Sequence, residues 1–267
     1  MELKDLCREI EIVARQTGRF IMKESRRFDI ARIESKGPND FVSYVDRGAE
    51  EMLVENLGRL IPEAGFYTEE GTSAKAGTRY CWVVDPLDGT TNFLHGVHPF
   101  SISIALKEFD ELIAGVVYEA GGMETFTAWG NGGAWLNGNK IRVSRTINLS
   151  NSLVATGFPY NDFTRLPSYL ICLEHVMRNS HGVRRMGSAA IDLAYVACGR
   201  FDAFFEYGLN PWDVAAGILL IREAGGRVSD FSGNEKDVTG KEIIAANNLV
   251  YSEFFEIVSN FMQTISY

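Results

Sequence analysis

The sequence predicts an α+β half followed by an α/β half, packed against each other as one unit. Three observations predict it. Two stretches with helical spacing open the chain, a run of short β segments joined by tight turns follows, and from about Thr146 short β segments alternate with helices that end in glycine.

Leu3, Leu6, Ile10, Val13, Ala14 and Ile21 recur at helical spacing, so the first helix reaches about Glu24. The polar stretch 25–40, holding Gly37-Pro38-Asn39-Asp40, reads as a loop or irregular hairpin. A second helix spans 45–60, turns Met52, Leu53 and Leu57 inward and stops before Pro62. Phe66-Tyr67 form a short strand running into Glu69-Glu70-Gly71, and Trp82-Val83-Val84 form another that ends in a turn at Asp85. The β runs 100–106, 112–118, 125–128 and 134–136, the last turned by Asn137-Gly138 into 140–143, make an antiparallel meander. In the second half, strand 153–155 precedes helix 166–178. Helix 189–198 closes on Gly199 before strand 201–206, and helix 214–224 closes on Gly225-Gly226 before strand 227–229. No repeat or low-complexity linker parts the halves, 1–145 and 146–267, so a site between them is expected.

Composition narrows the function. The 267 residues are 46% hydrophobic and 23% charged, the profile of a chain that buries a core. No apolar run is long enough to cross a bilayer and the N-terminus is too charged for a signal peptide, so a soluble cytoplasmic protein without a membrane partner is expected. A formal charge of −9 argues against a general nucleic-acid binder. Cys7, Cys81, Cys172 and Cys198 form no C-x-x-C pair and read as buried free thiols. His95 and His98 have Gly96 between them and Pro99 after them, which argues against a shared helical face and a histidine zinc site.

The chemistry concentrates in acids. Asp85-Pro86-Leu87-Asp88-Gly89-Thr90-Thr91-Asn92 sets two carboxylates three residues apart and follows them with backbone N–H groups on a segment free to start a helix. Hard cations and phosphate oxygens need such groups together. Alone, the octet reads equally well as an acidic surface turn. Glu69 and Glu70 end another strand, and Asp213 in Pro211-Trp212-Asp213 opens an apolar helix, either as its N-cap or as a further metal ligand. If these acids converge, they need cations to stay ionised together, and two or more Mg²⁺ ions would satisfy them, with Asp85 as the candidate bridge. Gly89 and Thr90 offer N–H groups to phosphate, and Gly187-Ser188-Ala189 either does the same or merely caps a helix. The chain has no D-x-D-x-T, C-x₅-R or G-x-x-x-x-G-K-[ST] pattern, which argues against covalent phosphatase and nucleoside-triphosphatase routes.

Together, Glu69-Glu70, the run from Trp82 through Asp85-Pro86-Leu87-Asp88-Gly89-Thr90-Thr91-Asn92-Phe93, and Trp212-Asp213-Val214-Ala215-Ala216-Gly217 with Glu223-Ala224-Gly225-Gly226 resemble the inositol monophosphatase family across nearly the whole chain. The resemblance implies a layered αβαβα sugar-phosphatase fold and a lithium-sensitive, Mg²⁺-dependent phosphomonoesterase, usually a homodimer. It implies that Glu69, Asp85 and the Leu87 carbonyl hold one metal, that Asp85, Asp88 and Asp213 hold a second, and that Glu69 assists a third. It further implies that Thr90 with Asp46 orients and deprotonates the attacking water, and that Lys36 lies near the site unless it is simply a solvated loop lysine. Asp88, Gly89, Thr90, Ser188, Ala189 and Glu206 would face the substrate; Glu206 either accepts polyol hydroxyls or is a strand-end charge. Arg184-Arg185 either read a second phosphate or form a solvated pair. The leading expectation is hydrolysis of myo-inositol 1-phosphate or a similar small sugar or polyol phosphate. Behind it stand fructose-1,6-bisphosphatase activity, alone or combined with the first, and then a nucleotide 3′-phosphatase. A regulatory role with a protein partner is the reading from another class.

Overall fold

The computed structural model describes residues 2–27, 34–37, 40–42, 44–73, 75–160, 162–236 and 238–262, and the side chains of these except 34–42. Helix α1 (Leu3–Ser25) buries Leu6, Ile10, Val13, Ala14 and Ile21 along one stripe. A short antiparallel pair, β1 (Glu34–Gly37) and β2 (Asp40–Val42), gives the polar stretch its hairpin, and α2 (Tyr44–Leu60) follows. A seven-stranded sheet is then laid down in sequence order by β3 (Gly65–Thr68), β4 (Tyr80–Asp88), β5 (Ser101–Glu108), β6 (Glu111–Glu119), β7 (Glu124–Trp129), β8 (Gly133–Leu136) and β9 (Asn139–Ile141). Only β3 with β4 is parallel within it; the other neighbours run antiparallel, as the tight turns predict. The short helix α3 (Thr90–Leu94) springs from the end of β4.

The second half comprises β10 (Leu153–Thr156), α4 (Leu166–Asn179), β11 (Gly182–Arg184), α5 (Ala189–Ala197), β12 (Ala203–Tyr207), α6 (Pro211–Glu223), β13 (Gly226–Ser229), β14 (Glu242–Asn247) and α7 (Tyr251–Met262). Its mixed five-stranded sheet has the order β11-β10-β12-β14-β13, with β14 antiparallel to both neighbours.

Alternation along the strands builds the layers. In β4, Trp82 and Val84 pack with α1 and α2, whereas Val83 faces the core shared with α5 and α6. In β12, Phe204 joins that same central core, while Ala203, Phe205 and Tyr207 face α4 and α7. The order is therefore α1/α2, seven-stranded sheet, α5/α6, five-stranded sheet, α4/α7: the αβαβα arrangement. Among the described residues no helix is long and apolar enough to cross a membrane.

The structure corrects three details. β4 does not stop before the acidic octet but runs into its first half, to Asp88; its ladder to β5 breaks between Asp85 and Asp88, because Pro86 has no N–H to donate. Helix α6 begins at Pro211 with Asn210 as its N-cap, so Asp213 is the third helical residue and not the cap. The elements β11, β14 and α7 carried no sequence expectation. β11 is three residues long, and β14 contains two alanines, which favour strands weakly.

Candidate active site

A cavity of about 360 Å³ opens where β3 and β4 end and α3, α5 and α6 begin, walled by Glu69, Asp85, Leu87, Asp88, Glu206 and Asp213 among others. Each acid arrives for a local reason. The bulge in β4 turns Asp85 and Asp88 to one side, and the Asp85 Oδ1 accepts the Leu87 N–H at 2.9 Å. Asp213 Oδ2 accepts the Asn210 N–H at 2.7 Å, which fixes its carboxylate at the start of α6. Asp88 Oδ2 accepts the Ser188 hydroxyl at 2.5 Å and the Ala190 N–H at 2.8 Å, so the N-terminus of α5 is aimed at this carboxylate.

These acids disturb one another. Burial raises the Asp85 carboxyl well above its ordinary range, and the charges of Glu69, Asp88 and Asp213 add to it. Asp213 is pushed up to about 7, first by burial and then by Asp88. Burial pushes Asp88 up to about 6 against its hydrogen bonds from Ser188 and Ala190. Glu206 is raised by burial, then by Asp213 and Asp88, with Arg185 opposing.

Among the described residues no three His, Cys, Asp or Glu side chains are already gathered into a closed metal cage. The donor chemistry fits a hard divalent cation nonetheless. The donors are carboxylate and carbonyl oxygens, the carboxylates of Glu69, Asp85, Asp88 and Asp213 line one cavity, and an ion that keeps several waters needs few protein ligands. Such an ion would relieve the repulsion among these carboxylates.

Thr90 Oγ1 lies 3.1 Å from Asp46 Oδ1 and 3.0 Å from the Leu87 carbonyl oxygen, and Asp46 is buried on α2. Gly89, Ser188 and Ala189 line the cavity with Thr90. The arginine pair is split: Arg185 lines the cavity, whereas Arg184, at the end of β11, is exposed and absent from its wall. Successive residues in extended chain face opposite ways, so one of such a pair turns away. The side chain of Lys36 lies outside the described ones. Sequence reasoning missed Asp192, which lines the cavity, is buried and leaves its Oδ1 without a hydrogen-bond partner. Its signal was position: it lies one helical turn after Ser188 on α5. Phe158, also in the wall, stacks under the Arg185 guanidinium at 5.6 Å.

An αβαβα chain with a carboxylate-rich cavity at its strand and helix ends falls in the layered sugar-phosphatase class. The model of the inositol monophosphatase family matches residues 4–263. The chain belongs to that family, whose members are phosphatases and generally metal-dependent. It is 41% identical to "Inositol-1-monophosphatase" of Mesorhizobium japonicum, over 92% of this chain and 92% of that protein. It is also 44% identical to "Nus factor SuhB" of Pseudomonas aeruginosa, over 88% of each. The crystal structure of extragenic suppressor protein suhB from Bartonella henselae matches with a TM-score of 0.90 at 39% identity, covering 95% of this chain and 98% of that one.

Proposed function

We propose that the protein is a Mg²⁺-dependent phosphomonoesterase acting on myo-inositol 1-phosphate or a related small sugar or polyol phosphate. The observation that carries the reading is the convergence of Glu69, Asp85, Asp88 and Asp213 on one cavity that Glu206 also walls. Glu69, Asp85 and the Leu87 carbonyl would hold one ion, Asp85, Asp88 and Asp213 a second, and Glu69 would assist a third. Bound there, the ions supply charge stabilisation to phosphoryl oxygens and make water a better nucleophile.

The chain's own residues orient and move protons. Thr90 is assigned to orient the attacking water, with Asp46 behind it as the proton acceptor; their 3.1 Å contact supports the pairing. The N–H groups of Gly89 and Thr90 are assigned to phosphate. Gly89 has φ +89°, and a Cβ there would stand 3.0 Å from the Gly187 carbonyl oxygen, so glycine keeps that approach open. Ser188 and Ala189 border the substrate, and Ser188 also steadies Asp88. Glu206 accepts hydroxyl protons of the polyol. The reading includes a cytoplasmic homodimer, inhibition by Li⁺, and a site between halves 1–145 and 146–267.

Two other readings have a specific observation behind them. Arg185 in the cavity wall favours a second phosphate, hence fructose 1,6-bisphosphate. Relatives named "Nus factor SuhB" favour a regulatory complex with a protein partner, which would not depend on the carboxylates.

Phosphate release from inositol 1-phosphate, fructose 1,6-bisphosphate and adenosine 3′,5′-bisphosphate, with Mg²⁺, with EDTA and with added Li⁺, tests all of these. Mg²⁺-dependent preference for inositol 1-phosphate is expected, and Asp88→Asn is expected to abolish most of it with the fold intact. Near wild-type rates in Asp88→Asn would sink the metal assignment. Preference for the sugar bisphosphate would put Arg185 first, and no turnover of any substrate would leave the regulatory reading.

A further inference from the structure

We propose that Glu50 is a positioning residue for the loop that carries Glu69, and that α2 is the spine holding Glu69 and Thr90 in one frame. The inference rests on the metal reading above. Glu50 is fully buried on the inner face of α2. Its Oε1 accepts the Thr68 hydroxyl at 2.8 Å and the Thr72 N–H at 2.7 Å. Its Oε2 accepts the Glu70 N–H at 2.7 Å. The three donors bracket Glu69 on both sides, while the Glu69 N–H itself reaches the Val84 carbonyl of β4 at 3.3 Å. The loop is thereby fastened to the helix and to the strand that ends in Asp85 and Asp88.

One helical turn earlier on the same face stands Asp46, which receives the Thr90 hydroxyl. Two acids four residues apart on one rigid helix therefore each anchor a different wall of the cavity. A carboxylate suits the position because it only accepts, and three donors converge on it. An amide would turn an NH₂ group toward at least one of them and leave that donor unanswered. Groups that hold metal ligands in place, without touching the metal, typically govern about 10- to 100-fold in affinity.

The test compares wild type with Glu50→Gln, Thr68→Val and Leu53→Ala, all as full-length chains. Mn²⁺ binding is followed by calorimetry, amide exchange of Glu70 and Thr72 in EDTA, and turnover at saturating metal. Glu50→Gln is expected to bind Mn²⁺ about 10- to 100-fold more weakly and to exchange the Glu70 and Thr72 amides faster, with turnover largely regained at saturating metal. Thr68→Val removes one donor without touching Glu50, and so remains informative if Glu50→Gln does not fold. It is expected to weaken Mn²⁺ binding by a smaller factor. Leu53→Ala, a core change on the same helix, is expected to lower the melting temperature and leave Mn²⁺ affinity unchanged. Unchanged Mn²⁺ affinity in Glu50→Gln and Thr68→Val would overturn the positioning role alone. Failure of wild type to bind Mn²⁺ would overturn the metal reading, and this inference with it.

Discussion

Glu50 in α2 and Asp85 in β4 are both buried carboxylates, at 0% and 2% exposure. Around Glu50 the chain supplies three donors, two of them backbone N–H groups. Around Asp85 it supplies the Leu87 N–H together with the charges of Glu69, Asp88 and Asp213. The same residue class thus serves two ends in neighbouring regions. An acid answered by backbone donors is part of the architecture, and removing its charge leaves those donors stranded. An acid answered by other acids is under strain that only protons or cations relieve.

The contrast is sharpest where the two acids are neutralised. Asp85→Asn is expected to lower turnover by about a thousandfold, the worth of several kcal/mol of lost charge stabilisation. In EDTA at pH 8 the same variant is expected to melt higher than wild type, because one of the mutually repelling charges is gone. Glu50→Gln is expected to melt lower under the same conditions, since a stranded buried donor costs about 1–3 kcal/mol. Thermal melts of the two variants in EDTA decide it; shifts of the same sign would break the comparison.

The next effect lies across the cavity, where Glu206 belongs to the strained kind. A Cβ built on Gly157 would overlap the Glu206 carboxylate, so glycine there is what lets this side chain stand at the cavity wall. Glu206→Ala is expected to lower kcat/KM on inositol 1-phosphate by about ten- to a hundredfold, the range for a lost hydrogen bond to a charged group, and to spare an aryl phosphate. Gly157→Ala, which leaves Glu206 in the chain but displaces it, is expected to move selectivity in the same direction by a smaller factor. Equal losses on both substrates in both variants would remove Glu206 from specificity.

What the sequence made legible follows the same division. Asp85, Asp88 and Asp213 sit in contiguous motifs next to proline, glycine and tryptophan, so chemistry and local backbone could be read together. The antiparallel meander was legible from Asn137-Gly138 and its short connections. Glu50 was not, because nothing around it in sequence announces that residues 68–72 fold back onto it; its partners are 18 to 22 residues away. Asp192 was hidden for the same reason, its neighbours Glu206 and Asp88 coming from other elements. Helix α7, by contrast, was available: Tyr251, Phe254, Val258 and Met262 are buried at helical spacing. The bulge at Pro86 could be placed only once Asp88 was seen to pair with Ser101.

The smallest expected effect concerns stability and pH. Asp88 at about 6 and Asp213 at about 7 stand above their ordinary 3.8, so the folded chain holds these protons more tightly than the unfolded one. Their contribution to stability is complete below the ordinary value and is lost as pH rises through about 6 to 7. Metal-free protein is therefore expected to melt lower at pH 8 than at pH 5, and Mg²⁺ to restore more at pH 8. Asp192 separates burial from metal chemistry, because no metal is assigned to it. Its carboxyl is raised by burial first, then by Glu206 and Asp88, and its Oδ1 finds no partner. By the same sign, ionised Asp192 opposes folding at high pH. Asp192→Asn in EDTA is expected to raise the melting temperature at pH 8 by about 2–4 °C, the worth of about 1 kcal/mol in a chain of this size. The gain over wild type is expected to shrink toward pH 4, where the native carboxyl is already protonated. An equal gain at both pH values would mean that shape, and not buried charge, distinguishes the two side chains.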